Sequence, residues 1–172
     1  MTFSLVVRCD RTGQFAVAVS SSSPSVAARC AFARAGVGAV TTQNVTDPRL
    51  GPWALDLMQA GASAMQARDI IVQSCSFADY RQMTLVDAKG GVAQWSGPQA
   101  LGVHAFYEGH GAVSAGNLLA HDGVPQAIVQ AFETSDPSQE LGARVIAAMQ
   151  AGLAAGGEAG PVRSAGLLVV DT

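Results

Sequence analysis

Among the residues whose types permit chemistry, Thr2 carries the most specific arrangement. Thr in second position is small enough for Met1 to be removed routinely, which would leave a free α-amine and a hydroxyl on one residue. An α-amine with an ordinary pKa of about 8 can serve as general base for the hydroxyl beside it. The next residues, Phe3–Arg8, are apolar and β-branched, and would fix that terminus in a sheet. A chain that opens Met-Thr by chance shows the same two residues, so the catalytic and the incidental reading both stand here.

Other chemistries find less support. His104, His110 and His121 form no HxH or HxxxH pair, and Asp122 is the only acidic residue adjacent to one of them, so no metal site is expected. His110, between Gly109 and Gly111 and just before a strand, is the imidazole placed for the edge of a cleft. Cys9, Cys30 and Cys75 are odd in number and contain no CxxC pair, which argues against a disulfide scaffold and a zinc site. None has a histidine nearby in sequence to activate it, and Cys9 and Cys30 read as small buried apolar residues. Gly36-Val37-Gly38 and Gly109-His110-Gly111 lack the third glycine of a nucleotide loop. No GKS, GKT or GxSxG occurs, and the one lysine, Lys89, falls in a turn. No cofactor is expected.

The elements that must position these groups follow from periodicity. The chain has 172 residues, 49% of them apolar, which suits one domain over residues 1–172. Only 13% are charged, roughly half the ordinary share, which excludes a disordered chain. Thirteen acidic against ten basic residues leave no electrostatic footprint for nucleic acid or for a basic membrane surface. No run of about 18 apolar residues occurs, and the opening MTFSLVVRCD lacks the basic start of a signal peptide. A cytoplasmic, soluble chain is expected. Its low charge points to burial of part of the surface by further copies, as a dimer or higher homo-oligomer.

Phe3–Arg8 and Phe15–Ser20, joined by a turn with Gly13, read as a hairpin. Val26–Ala35 is short and either helical or irregular, Gly36–Gln43 reads as a strand, and Asn44–Pro52 as a loop. Helices are expected over Trp53–Ala60 and, capped by Ser63, over Ala64–Cys75. A second hairpin pairs Arg81–Val86 with Val92–Trp95, and Gly111–Asn117 follows as a strand. Helices over Val124–Glu133 and Gln139–Ala154 stop at Gly156-Gly157, before a closing strand Ser164–Val170. Antiparallel strand groups with paired helices make a layered α+β domain rather than a doubly wound parallel sheet.

The stretches TFSLVVRCDRTGQFAVAVSSSSPSV and ARAGVGAVTTQNVTDPRLGPWALDLMQAG, with Ser114–Ala120 and Ala151–Val170, resemble the family designated domain of unknown function 1028. The resemblance spans essentially the whole chain. That family is similar to the N-terminal nucleophile (Ntn) hydrolases, which implies a four-layer αββα sandwich of mostly antiparallel sheets. It also implies hydrolysis of an amide or other C–N bond in a small molecule, with Thr2 as nucleophile. Asn44 and Asn117 are then candidate oxyanion donors beside Thr2, and Ser20 and Ser21 candidate partners of the terminal amine. His110, Glu158 and Arg163 complete the candidate substrate-binding set. The family's Asp- and Arg-rich segment before its last strand is here Gly156-Gly157-Glu158, with Arg163 as its one remaining arginine. A catalytically silent module of the same fold, binding a small metabolite or a protein partner, is the alternative.

Overall fold

The structure, a computed structural model, describes residues 1–172. Strands β1 (Thr2–Arg8) and β2 (Phe15–Ser21) form the first hairpin, closed by Gly13 at φ +77. A short helix α1 (Ala27–Cys30) runs straight into β3 (Ala31–Arg34), which pairs with β4 (Gly38–Asn44). The stretch Val26–Ala35 is therefore half helix and half strand. Helix α2 (Leu50–Gln59) begins three residues before the expected Trp53. Asp47 accepts a bond from the Arg49 amide at 3.1 Å and so organises the turn that precedes it. Helix α3 (Ala64–Ser74) starts where expected, at a capping box in which Ser63 and Gln66 satisfy each other's amides.

The second hairpin is β5 (Arg81–Asp87) and β6 (Val92–Ser96). Asp87 ties it to the helices. Its carboxylate accepts amide bonds from Lys89 and Gly91 in the turn and from Ala64 at the start of α3, each at 2.9 Å. Strand β7 (Ala105–Gly109) was not expected. It is short and ends in Glu and Gly, residues that seldom sit in strands, and it is fixed by pairing with β8 (Ala112–Asn117). Helices α4 (Val124–Glu133) and α5 (Leu141–Ala154) precede β9 (Ser164–Val170), and Gly156 and Gly157 end α5 at positive φ.

Two antiparallel sheets result, one in the order β7-β8-β1-β2-β9 and one in the order β3-β4-β5-β6. Alternation along β1 sends Phe3, Leu5 and Val7 to the outer face, where they pack with Ile128, Phe132 and Val145 of α4 and α5. Val40, Met83 and Leu85 of the second sheet pack outward against Leu55 and Ile71 of α2 and α3. Between the sheets, Val6, Val17 and Val113 meet Ala39 and Val86. The fold is thus an α+β sandwich with helices on the outer face of each sheet. No helix is long and apolar enough to cross a membrane.

The apolar filling between the sheets stops halfway along the strands. Beyond it the inward positions are Thr2, Ser4, Ser21 and Asn117 on one side and Thr41, Gln43, Gln82 and Thr84 on the other, all buried. On the outer face of the five-stranded sheet, α4 and α5 pack closely against each other. Gly152 of α5 lets Ile128 of α4 approach so closely that a Cβ would lie 2.3 Å from Ile128 Cγ1. Gly152→Ala would gain about 1 kcal/mol of helix propensity. The fully buried Ile128 has no room to yield, so overpacking of ~1–3 kcal/mol outweighs that gain. The urea midpoint of Gly152→Ala is expected to fall; a rise would show that α4 and α5 separate freely.

Candidate functional site

Thr2 lies opposite Asn117 on one side and Ser21 on the other, so the three side chains share the inward face at one end of the five-stranded sheet. Thr2 Oγ1 is 3.1 Å from Ser21 Oγ. Both hydroxyls donate to the Met1 carbonyl oxygen, each at 2.6 Å. That carbonyl marks a point where two hydroxyl donors converge.

Beneath this point, a chain of amides crosses from one sheet to the other. Gln82 Nε2 donates to the Gly116 carbonyl at 3.0 Å and to Ser96 Oγ at 2.9 Å. Because a carbonyl can only accept, Gly116 fixes which end of the Gln82 amide is nitrogen. Gln82 Oε1 then receives Gln43 Nε2 at 2.8 Å and Asn117 Nδ2 at 3.1 Å, which fixes those two amides in turn. One Asn117 amide hydrogen is thereby occupied and one is left over. Gln43 Oε1 is wholly buried and has no partner. Burying an acceptor without a hydrogen bond costs about 1–3 kcal/mol, a cost usually seen where something else completes the set.

Glu158 closes the open side. It sits in a bridge opposite Leu119 and is only 6% exposed. Its Oε2 accepts the Ser22 amide at 2.9 Å, and its Oε1 is buried without a partner. Burial pushes the carboxyl above its ordinary range, against the Ser22 amide and the positive Met1 α-amine, which both favour the carboxylate.

The chain matches the family of unknown function DUF1028 over residues 2–172. The chain belongs to this family. Its fold is similar to the crystal structure of a Silicibacter pomeroyi protein assigned to the same family, with a TM-score of 0.91 at 24% identity, over 99% of this chain and 73% of that one. No curated protein matches it.

In this DUF1028 chain, Thr2, Ser21, Asn117 and Glu158 are brought together, and four other candidates are placed otherwise. Ser20 pairs with Phe3 and, one residue from Ser21, faces the opposite side of the sheet, where it lines a cavity of about 340 Å³ with Ile146 and Leu153 of α5. It therefore cannot reach the terminal amine. Asn44 turns away at φ +72. Its amide donates to the Tyr80 carbonyl at 2.6 Å and accepts from the Leu101 amide at 3.1 Å, so it clamps two loops rather than facing Thr2. His110 lies by the far end of β1, because Arg8 pairs beside it at Gly111. Six residue steps along β1 separate the two ends, roughly 20 Å. There His110 Nε2 meets Asp10 at 2.8 Å, with its side chain 85% exposed. Arg163 has its backbone amide on the Ser21 carbonyl at 2.9 Å, but its side chain is exposed at the rim.

Gln43 and Gln82 were not singled out in the sequence. Their only signal is a polar alternation in strands whose other faces are apolar, and that pattern also describes a strand facing water. No group of three or more His, Cys, Asp or Glu side chains converges that could hold a metal ion. The cysteine thiols stand apart from Thr2. Burial raises those of Cys30 and Cys75. At Cys9, burial also raises the value, but bonds from Thr12 and Arg11 and the Arg144 guanidinium outweigh it.

The Glu158 shift makes a signed prediction. With its folded-state value above the ordinary 4.5, the native chain holds more protons than the unfolded one between the two values. Stability from this group is therefore full below 4.5 and lost as pH rises through the raised value. Asp47, held at about 2 by Arg49, titrates below that window. Relative to Glu158→Gln, the wild type should lose stability between pH 4 and pH 7 in urea melts. A difference that stays constant with pH refutes the burial account.

Proposed function

We propose that this chain is an Ntn-type hydrolase that cleaves an amide or other C–N bond of a small molecule, with Thr2 as nucleophile once Met1 is removed. The observation that carries the reading is the convergence of the Thr2 and Ser21 hydroxyls on one carbonyl oxygen at the end of β1. An αββα layering of mostly antiparallel sheets with the nucleophile on the first strand supports the same assignment.

In the proposed reaction the Thr2 α-amine takes the proton of Oγ1 as Oγ1 bonds to the substrate carbonyl carbon. The carbonyl π electrons move to its oxygen, and Ser21 Oγ, with the remaining Asn117 amide hydrogen, is placed to donate to that oxyanion. Collapse breaks the C–N bond, and the leaving nitrogen takes the proton held on the α-amine. Water, deprotonated by the same amine, then hydrolyses the ester on Thr2 and releases the acid. The amides of Gln43 and Gln82 hold Asn117 in place without touching the reacting atoms.

One observation favours the silent-module alternative. With Met1 attached, Thr2 has a peptide N–H in place of an amine and is only 7% exposed. Intact mass spectrometry of untagged protein separates the two. Loss of one Met is expected, together with hydrolysis of small amides that falls on the order of 10⁴-fold in Thr2→Ala. Retention of Met1, or activity that survives Thr2→Ala, would sink the nucleophile assignment.

The reading includes self-association. Strand β9 is an edge of its sheet, and Leu167, Leu168 and Val169 on it are each more than a third exposed. A second copy could pair along this edge and cover those side chains. Light scattering should show an oligomer that Leu168→Lys dissociates; an unchanged mass would exclude this edge.

A further inference from the structure

At the end of β1 away from Thr2, a cavity of about 390 Å³ holds a cation without an anion. It lies where the turn after β1 meets the connection between α4 and α5, and Arg144 of α5 lines it while only 7% exposed. Arg144 Nε donates to Ser135 Oγ at 2.8 Å, and Nη2 donates to the Phe132 carbonyl at 3.4 Å. Nη1 meets only the Cys9 sulfur, at 4.0 Å, and a thiol is a weak acceptor. The guanidinium carbon stands 4.4 Å from the centroid of the Phe132 ring. Both oxygen partners are neutral, and no carboxylate oxygen comes within 4 Å. A guanidinium buried in this way keeps an uncompensated charge, which is costly unless an anion completes it.

The carboxylates around the cavity are committed elsewhere. Asp10 accepts from Arg8 Nη1 at 3.0 Å on one oxygen and from His110 Nε2 at 2.8 Å on the other. Glu133 Oε1 accepts the His110 backbone amide at 2.8 Å, and it reaches that amide because Gly109 has no Cβ to collide with it. Asp136 accepts the Ser138 amide at 2.8 Å. The donors, by contrast, are not all used. One hydrogen on each of Arg144 Nη1 and Nη2 has no partner. Arg11, exposed at the mouth, gives its Nε to the Pro137 carbonyl at 2.9 Å and keeps both Nη groups free. The wall thus offers unspent cationic donors beside acceptors that are already occupied.

We propose that this cavity is a second ligand site, which takes the carboxylate or phosphate group of a small molecule on Arg144, with Arg11 meeting the same group from the mouth. Two N–H donors on one guanidinium match two oxygens on one carbon or one phosphorus. The cavity is of the size that holds small ligands, so the body of the molecule lies beyond its anionic group, against Phe132 and Pro137. The site shares no residue with the Thr2 end and does not depend on the hydrolase reading.

Calorimetry on the full chain tests it, with sodium phosphate and sodium acetate titrated at constant ionic strength against a sodium chloride control. At least one of the two anions should saturate a single site per chain, and the tighter of them identifies the group as phosphate or carboxylate. The His110 ring proton resonances should shift along the same isotherm, which places the anion in this cavity. Losing a charged hydrogen-bond partner should make Arg144→Gln bind about 10-fold more weakly or worse. Arg11→Ala, at the surface, should weaken binding several-fold with its melting temperature in chloride unchanged, and it decides the matter if Arg144→Gln does not fold. Thr2→Ala should bind as the wild type does. Failure of both anions to saturate, full-strength binding in either arginine variant, an unmoved His110 or binding lost in Thr2→Ala overturns the proposal.

Discussion

The structure depends on a single carbonyl at the polar end of the sandwich. Gly116 receives Gln82, and Gln82 in turn receives Gln43 and Asn117, so one backbone acceptor orders three amides across two sheets. An apolar interior would hold the sheets together with less constraint, as Val6, Val17 and Val86 do at the other end. The amide chain adds direction. Each amide has one orientation that keeps these bonds, and the β1–β8 register puts Asn117 beside Thr2.

The same end of the sandwich joins segments far apart in sequence. Thr2 and Ser21 come from the first hairpin, Asn117 from β8, and Glu158 from the turn after α5. The last is placed by backbone bonds, with the Ala120 amide on Gly157 and the Ala159 amide on Leu118. Ser22 then reaches Glu158 because β2 ends one residue earlier. A carboxylate so buried is held by a framework of main-chain bonds rather than by an ion pair. Its protonation therefore answers to burial first, to the Ser22 amide second and to the Met1 α-amine after that.

A second clamp keeps the far wall in register. Asp87 bonds the β5–β6 turn and the first amide of α3 together. Arg81, at the other end of β5, donates to the Val45 and Ser76 carbonyls. Strand β5 is thus pinned at both ends, and Gln82 lies one residue inside one of those pins. The precision of the amide chain follows from that pinning, since a shift by one residue would turn Gln82 to the helix side.

What the sequence by itself determined is local. The hairpins, the Ser63 cap, the stop at Gly156-Gly157 and the closing strand all follow from turn residues and periodicity within a few positions, and the structure carries them. It also named Thr2, Ser21, Asn117 and Glu158, three of them near strand ends and all of types that hydrogen-bond. What only the tertiary structure decided is which face of each strand has a partner. The alternation in RQMTLV places Gln82 and Thr84 opposite Met83 and Leu85, and alone it describes a strand with one wet face. A second sheet covers that face instead, and the polar residues become the interior of the site. Ser20 and Ser21 are equivalent in sequence and opposite in space for the same reason. Side chains alternate at every residue, whereas the identity of the layer behind each face is settled by contacts between distant segments, as where Gln82 reaches Gly116 34 residues further on.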